Sequence, residues 1–331
     1  MNIDIPSNMQ EKVIVVTGGS GFVGANLIKK LNREGVKKIL IIDNYDEKKL
    51  SNIKGCAFID FISYTKGLHY IESELSKHNI GAILHVGANA DVLVKDAEVM
   101  LHANYDHSKF YLSFCNGHNI PLIYASSSAV YGNSNNCVID TNYEEPHNVY
   151  SWSKWMFDNY VLNNSASFSS RVIGLRFFNI FGMGEYHKDK NASLTHRFFQ
   201  FIKHKGFIDV FDRQIQRDYV WVDDVTSIIL DILKDESIEN GIYNLGSANA
   251  ISHQALAALV AEVYIERGIK TKEDDLVKLI PMPEELVENF QFYTMAEDLP
   301  EFVSRYTFDN EQKIKNYVNQ MIDFEYKYTE V

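Results

Sequence analysis

A tyrosine and a lysine four residues apart, Tyr150-Ser-Trp-Ser-Lys154, put a phenol and an ammonium on one face of any helix that carries them. An ammonium beside a phenol favours the phenolate, so this pair suits proton exchange with a hydroxyl near neutral pH. The spacing is common. Tyr45/Lys49 and Tyr105/Lys109 repeat it, and we read these as surface and helix residues. Position separates the three. Tyr150 follows a strand ending Tyr124-Ala-Ser-Ser-Ser-Ala-Val-Tyr-Gly132, where the Ser127 hydroxyl can polarise the oxygen that exchanges its proton with Tyr150. A second constellation lies near the start of the chain. Val13-Ile-Val-Val-Thr17 runs into Gly18-Gly-Ser-Gly21-Phe22-Val23-Gly24 and then into a helical pattern. Glycines at this spacing permit a tight turn, admit a pyrophosphate to the backbone N–H groups, and let helix pack closely on strand. The helix N-terminus adds a favourable dipole for the anion. Asp43 lies nineteen residues beyond Gly24 at the end of the next strand. There an acidic residue takes adenosine ribose hydroxyls and favours NAD. Lys48 and Lys49 follow, either to receive the extra phosphate of NADP or as a solvated loop.

These residues need elements to hold them. Short β-branched runs occur at Val13–Thr17, Lys38–Asp43, Ala82–Val86 and Leu122–Ser126, with amphipathic stretches at Phe22–Glu34, Leu68–His78 and Asp96–Asn116 between them. Apolar runs that alternate with helices predict a parallel sheet covered on both faces. The pattern continues with a helix at Tyr150–Leu162 and a strand at Arg171–Phe177, then stops after Asn179. Aromatic and basic residues mix from Phe181 to Arg217. A strand (Asp218–Val222), a helix (Asp223–Lys234), a short strand (Ile242–Gly246) and an acidic, helical C-terminal part follow. The expected fold class is α/β, a Rossmann-type doubly wound parallel sheet over residues 12–178. Residues 179–331 form a smaller C-terminal α/β substrate lobe, from which Asp218–Lys234 and Ile242–Gly246 are free to return to the first domain.

Composition narrows the function. The 331 residues carry 32 Lys+Arg against 44 Asp+Glu, a net charge of −12. That balance opposes a nucleic-acid-coating role or general attraction to anionic lipid, while leaving room for a local basic pocket. No uncharged apolar run approaches the roughly 18–20 residues of a membrane helix, and the N-terminus lacks a secretory pattern, so a cytoplasmic protein is expected. Cys56, Cys115 and Cys137 are too few and scattered for a disulfide framework or a thiolate zinc site. His85 reads as a packed strand-end residue, and no metal site is expected.

Together these residues resemble the extended short-chain dehydrogenase/reductase family of nucleotide-sugar-modifying enzymes, from Val13 to about Val222 and more weakly beyond. The resemblance implies Ser127, Tyr150 and Lys154 as the catalytic set, Ser127 being four residues before Tyr131. Arg217-Asp-Tyr-Val220 matches the segment whose arginine contacts the nucleotide-sugar phosphates, a task for a bidentate fork. Within the family, Tyr124–Gly132, Arg176-Phe-Phe-Asn-Ile-Phe-Gly182, Glu185-Tyr-His-Lys188, Ala192-Ser193 and Asn289-Phe-Gln-Phe-Tyr-Thr294 are similar to ADP-L-glycero-D-manno-heptose 6-epimerases. That similarity implies Lys188 as a second proton-exchanging group. Epimerisation removes hydride and returns it to the other face of the intermediate, so the oxygen meets a second residue. A phosphate-binding or exposed lysine is the plainer reading of Lys188. The resemblance further implies Asn179, Lys190, Arg197, Arg217 and Phe290 near the substrate. Phe22, Val23, Asn44, Gly87, Ala88, Asn104 and Ile180 would lie near a tightly bound NADP or NAD, the subfamily favouring NADP. A homo-oligomer built on the helices near Asp96–Asn116 and Tyr150–Leu162 is also implied.

Departures from the pattern fall on the substrate side. Gly182-Met-Gly-Glu185 lacks an arginine, Phe290 replaces a tyrosine, Arg197 replaces a histidine, and the loop before Arg217 is short. The expected activity is therefore an NAD(P)-dependent nucleotide-sugar epimerase of the ADP-heptose type, with a UDP-, GDP- or CDP-sugar 4-epimerase, dehydrogenase or reductase as the alternative. A 4,6-dehydratase is disfavoured, because Ser128-Ala129 stand where such enzymes carry Asp-Glu. A non-catalytic dinucleotide sensor is the remote alternative.

Overall fold

The structure, a computed structural model, describes residues 11–91, 94–287 and 290–329; Asn289 of the last motif lies outside them. Strand β1 (Val13–Thr17) is buried along its whole length. Ile14 and Val16 enter one apolar cluster, Val13 and Val15 another, so the strand has helices over both faces. Helix α1 (Phe22–Arg33) covers the first face and leads to β2 (Ile39–Asp43) and β3 (Asp60–Ser63). Helix α2 (Leu68–Leu75), strand β4 (Ile80–His85), helix α3 (His107–His118), strand β5 (Leu122–Ser127), helix α4 (Val149–Asn164) and strand β6 (Val172–Phe177) complete the first half. The stretch expected as one helix from Asp96 is broken. A short helix, Ala97–Leu101, passes into a π-turn, His102–Asp106, before α3 begins. Asn104 sits in that turn, and such bulges concentrate at functional sites.

The second half adds β7 (Asn179–Phe181), α5 (Leu194–Lys205), β8 (Ile208–Phe211), β9 (Gln216–Trp221), α6 (Val222–Lys234) and β10 (Gly241–Leu245). Next come β11 (Ala250–Ser252), α7 (His253–Glu266), β12 (Val277–Ile280) and α8 (Asn310–Thr329). The main sheet has seven parallel strands in the order β10-β6-β5-β4-β1-β2-β3. This is the doubly wound Rossmann order with one strand added at the edge, and its direction of winding reverses between β1 and β4. There the carboxyl ends of neighbouring strands diverge and leave a crevice. Helix α6 packs on α1 through Ile228, Ile229 and Ile232, and β10 pairs with β6.

Strand β9 lies in a separate three-stranded sheet, β11-β9-β7, and β12 pairs with β8. Over these strands α5, α7 and α8 close a third apolar cluster around Phe199, Tyr264, Tyr317 and Met321. The short strands β8 and β12, not foreseen, lack a run of alternating residues long enough to announce them. In the helix pair considered for self-association, Tyr111, Leu112, Phe157 and Val161 are core residues, whereas Val99, Trp152 and Leu162 are exposed. Among the described residues no helix is long and apolar enough to cross a membrane.

Candidate functional site

The crevice at the winding reversal has a volume of about 680 Å³ and is lined by Gly18, Gly21–Gly24, Asp43, Asn44, Gly87, Ala88 and Lys188 among others. Gly18 holds a φ of +64°. A Cβ there would stand 2.5 Å from the Gly87 Cα, and one on Gly24 would stand 2.2 Å from the Gly18 carbonyl oxygen. The turn is therefore a cradle that no other residue type permits. Helix α1 opens at Gly21 with no side-chain cap and no acid in its first turn, so its N–H groups and dipole stay available to a diphosphate. The cradle fits a dinucleotide.

Asp43 lines the crevice with its carboxylate already engaged. Ser20 donates to Oδ2 from both its backbone N–H (3.0 Å) and its hydroxyl (2.7 Å). The Asn44 N–H donates to Oδ1 at 2.8 Å, and the Lys49 Nζ stands 3.6 Å from it. Asp43 thus fastens the glycine turn to β2 and keeps limited acceptor capacity for a ribose. Of the two loop lysines only Lys49 enters the crevice; Lys48 is exposed and pairs with Asp189. Thr17, His85 and Ser108 form a directed chain that runs inward from the crevice wall. Ser108 donates to the Asn104 carbonyl and Gly87 N–H to Thr17, so His85 takes the Thr17 hydroxyl on Nδ1 and donates to Ser108 from Nε2. Burial holds His85 neutral. Asn104 also stands behind the wall. Its amide donates to the Asn89 carbonyl and the Ser153 hydroxyl and accepts from the Asn89 N–H. It joins the loop after β4 to α4 instead of lining the crevice.

The segment Tyr186–Asn191 closes the outer wall. His187 meets Asn52 at 3.1 Å, and Asn26 of α1 donates to the Met183 carbonyl at 2.8 Å. Glu185, fully buried, accepts from both Ser193 donors and from the Tyr317 hydroxyl of α8, which anchors the segment to the lobe. Lys188 lies with its Nζ 5.3 Å from the Phe22 ring centroid, and burial lowers its pKa against the pull of Glu185. The structure groups Lys188 with the glycine turn. Lys190, expected near the substrate, lines this same crevice as an exposed residue.

At the carboxyl end of β5 the second constellation assembles. Helix α4 starts at a capping box in which Asn148 and Ser151 satisfy each other's backbone N–H groups. That start puts Tyr150 in the first turn. Tyr150 and Ser127 are neighbours there, near enough for the serine hydroxyl to favour the phenolate. Ser127 also accepts from the Ala129 N–H at 3.1 Å, which turns its strand away from the sheet. Lys154, four residues on, reaches back to β5. Its Nζ donates to the Ala125 carbonyl at 2.9 Å, and burial draws its pKa down to about 8 against the pull of Asp158. Burial raises the pKa of the Tyr150 phenol, and the nearby Ser127 hydroxyl opposes the rise. The other two Tyr/Lys pairs are as expected. Tyr45 is exposed and stacked on Phe61, and Lys109 rests on the Tyr105 and Tyr160 rings.

On the lobe side, Arg217 of β9 is buried and lies 5.5 Å from the Phe290 ring centroid. It donates to the Gln216 carbonyl, and burial lowers its pKa to about 10. Asn179 donates to the Asp218 carbonyl at 2.9 Å, and Ile180 sits beside Val220. Arg197 is exposed on α5 with its guanidinium over Phe201. His253, the first residue of α7, was not anticipated. Strand pairing brings it to β9, its backbone N–H donates to the Ile215 carbonyl, and burial with Arg217 and Arg197 nearby lowers its pKa to about 3. No sequence pattern announces it, because its neighbours are distant in the chain. Asp158 was also missed, although its place four residues after Lys154 was a usable signal. Among the described residues no three His, Cys, Asp or Glu gather as a metal site.

Comparison with known proteins supplies the remaining evidence. The model of the NAD dependent epimerase/dehydratase family matches residues 14–246. The chain is 33% identical over 293 residues to ADP-L-glycero-D-manno-heptose-6-epimerase of Alkalilimnicola ehrlichii, covering 86% of this chain and 89% of that protein. It is 35% identical over 292 residues to the enzyme of the same name from Brachyspira hyodysenteriae, with the same coverage. The crystal structure of the Helicobacter pylori ADP-L-glycero-D-manno-heptose-6-epimerase superposes with a TM-score of 0.80 at 26% identity, covering 96% of this chain and 98% of that one.

Proposed function

Because the chain belongs to the NAD dependent epimerase/dehydratase family, we propose that it inverts C6 of an ADP-glycero-manno-heptose by oxidising and re-reducing that carbon. The observation that carries the reading is the Ser127–Tyr150 pair at the carboxyl end of β5, in the sheet whose winding reversal holds the glycine cradle. Gly18, Gly21, Phe22, Val23 and Gly24 hold the cofactor diphosphate. Asp43, Asn44 and Lys49 hold its adenosine end, and Gly87, Ala88 and Ile180 flank it. When bound, the nicotinamide supplies the redox chemistry by taking hydride from the sugar carbon and returning it to the other face.

Ser127 orients the reacting hydroxyl, and Tyr150 takes its proton as the hydride leaves. Burial makes the phenolate costly, so the ammonium of Lys154 and the positive ring of the oxidised cofactor are what make this transfer feasible. Lys188, half-buried and without a carboxylate at ion-pair distance among the described residues, exchanges the proton when the oxygen faces the other way. Its place beside Phe22 favours a second role as a ligand of the cofactor phosphates. The Lys188→Met variant separates the two. Loss of epimerisation with bound cofactor retained identifies the acid/base, and loss of the cofactor itself identifies the phosphate ligand. Arg217, Asn179, Arg197 and Phe290 receive the nucleotide-sugar side. NADP is the proposed cofactor, with Lys49 beside Asp43 as the supporting contact.

Mass spectrometry of the cofactor released on denaturation, followed by proton-exchange NMR with the ADP-heptose epimers, tests the proposal. Interconversion of the C6 epimers without net oxidation is expected. A keto-sugar that accumulates with reduced cofactor points instead to a dehydrogenase. No turnover of ADP-heptoses moves the reading to another nucleotide sugar.

A further inference from the structure

Behind the Ser127, Tyr150 and Lys154 set lies a cluster of charges that the proposed reaction does not touch. Arg176 of β6 has no exposed surface and reaches three elements at once. Its Nε donates to Asp158 Oδ2 of α4 at 2.9 Å, one terminal nitrogen to Glu144 Oε1 at 2.6 Å, and the other to the Tyr131 hydroxyl at 3.1 Å. Asp158 also accepts from Ser126 (2.8 Å) and Tyr124 (3.0 Å) of β5. Glu144 accepts from the Trp155 indole at 2.8 Å, and the Tyr131 hydroxyl donates onward to Asn244 at 2.7 Å. The register allows this. Gly174, opposite Tyr124, leaves the space that the phenol ring fills; a Cβ there would lie 2.4 Å from the ring.

Each partner of Arg176 adjoins a residue of the site. Ser126 precedes Ser127, Asp158 lies one helical turn from Lys154, Trp155 follows Lys154, and Tyr131 ends the turn that Ser127 begins. Charge is balanced only when Lys154 is included. Arg176 bonds both carboxylates, Asp158 and Glu144, which leaves one negative charge over. The buried ammonium of Lys154, one helical turn before Asp158 and bonded to the Ala125 carbonyl, balances it through space without a direct ion pair. Of the other titratable groups near Lys154, His85 on β4 is held neutral and the pKa of the Tyr150 phenol is raised, so neither supplies a counter-charge.

We propose that Asp158 and Arg176 are positioning residues of the proton-transfer set: Asp158 is the counter-charge that keeps Lys154 cationic, and Arg176 fixes Asp158 and the turn carrying Ser127. The proposal rests on the assignment of Tyr150 and Lys154 above. A buried ion pair is weak evidence for stability, since desolvation offsets the attraction, which makes a functional role the better account of four buried charges in one place. Asp158→Asn keeps the shape and removes the charge. Lys154 then loses its counter-charge, and the alkaline limb of the kcat–pH profile is expected to move down by about one pH unit or more. KM and bound cofactor are expected to stay near the parent values. Arg176→Lys keeps a buried cation but loses the fork. It is expected to lower kcat about tenfold or more at unchanged KM, with the alkaline limb in place. An unmoved limb in folded Asp158→Asn protein overturns the charge role. A folded Arg176→Lys protein that turns over at the parent rate overturns the positioning role. Tyr150→Phe serves as the control: if it stays active, the assignment of Tyr150 and Lys154 fails, whereas an inactive Tyr150→Phe beside an unmoved limb defeats this proposal alone.

Discussion

The cofactor crevice and the substrate lobe are built by different means. The crevice is backbone. Its glycine turn comes from one stretch of seven residues, and its specificity lies in what a Cβ would strike. The lobe side is made of side chains collected from β7, β9, α5, the start of α7 and the segment around Phe290. A backbone site tolerates side-chain drift everywhere except at its glycines. A side-chain site changes with each substitution and so can change substrate. Two of the sequence departures, Phe290 and Arg197, fall on the second kind of site, whereas the segment 182–185 packs against α1 at the outer wall of the crevice. The contrast is sharpest where the two regions meet, at Tyr150.

Removing that phenol is expected to have the largest effect. Tyr150→Phe removes only the proton-transferring oxygen, so turnover is expected to fall ~10²–10⁴-fold, as for a positioned acid/base group. Bound cofactor should be retained, since the glycine cradle is untouched; both quantities are read from one preparation by assay and mass spectrometry. If cofactor is lost together with activity, the two regions are not separable. The parent enzyme's own pH profile sharpens this further. Burial brings Lys154 down to about 8, so its ammonium is present below that pH and lost above it. Turnover should therefore fall as pH rises through that range.

Arg217→Ala tests the lobe side. Loss of a charge-assisted contact to phosphate is worth about 1.5–3 kcal/mol, or roughly 10- to 100-fold in KM for the nucleotide sugar. Cofactor content should not change, because Arg217 lies on β9, outside the main sheet. An equal loss of cofactor would show that the guanidinium serves the crevice as well.

His253 offers a stability test of the same region. Its folded-state pKa of about 3 is far below the ordinary histidine value, so between those limits the unfolded chain binds a proton that the native one refuses. Stability contributed by the neutral ring is therefore lost as pH falls below about 6.5, reaching roughly 2 kcal/mol at pH 5. His253→Gln should flatten the dependence of Tm on pH in that window. An unchanged slope would assign the acid sensitivity to other buried histidines, His85 first.

What was legible in the sequence follows the same division. The glycine turn, the parallel sheet and the Tyr150/Ser127 pair were readable because each depends on local spacing or on the ends of strands whose apolar runs are unmistakable. The bond from Lys154 to the Ala125 carbonyl was not legible, because helical spacing fixes a face and not a partner. The assembly of Asp158, Glu144 and Arg176 stayed hidden because β6, α4 and the loop before it meet only in the fold. The place of Lys190 in the crevice wall was hidden for the same reason, since one non-helical residue, Asp189 at φ +46°, redirects the chain just before it.

The smallest expected effect concerns the adenosine end of the crevice, the one place there where side chains decide. Lys49 sits 3.6 Å from Asp43 and bonds Asn44 at 2.9 Å, so it neutralises the carboxylate that would otherwise repel a 2′-phosphate. Its side chain is a quarter exposed, so solvent screens the gain to about 1 kcal/mol, or roughly fivefold in affinity. Lys49→Ala should therefore weaken NADP about fivefold while NAD, which brings no phosphate to Asp43, binds as before; titration of cofactor-free protein with each dinucleotide reads the ratio. Equal weakening of both would mean that Lys49 only holds Asp43 and Asn44 in place. The crevice would then be a backbone site throughout, with its choice of cofactor left to the Asp43 carboxylate.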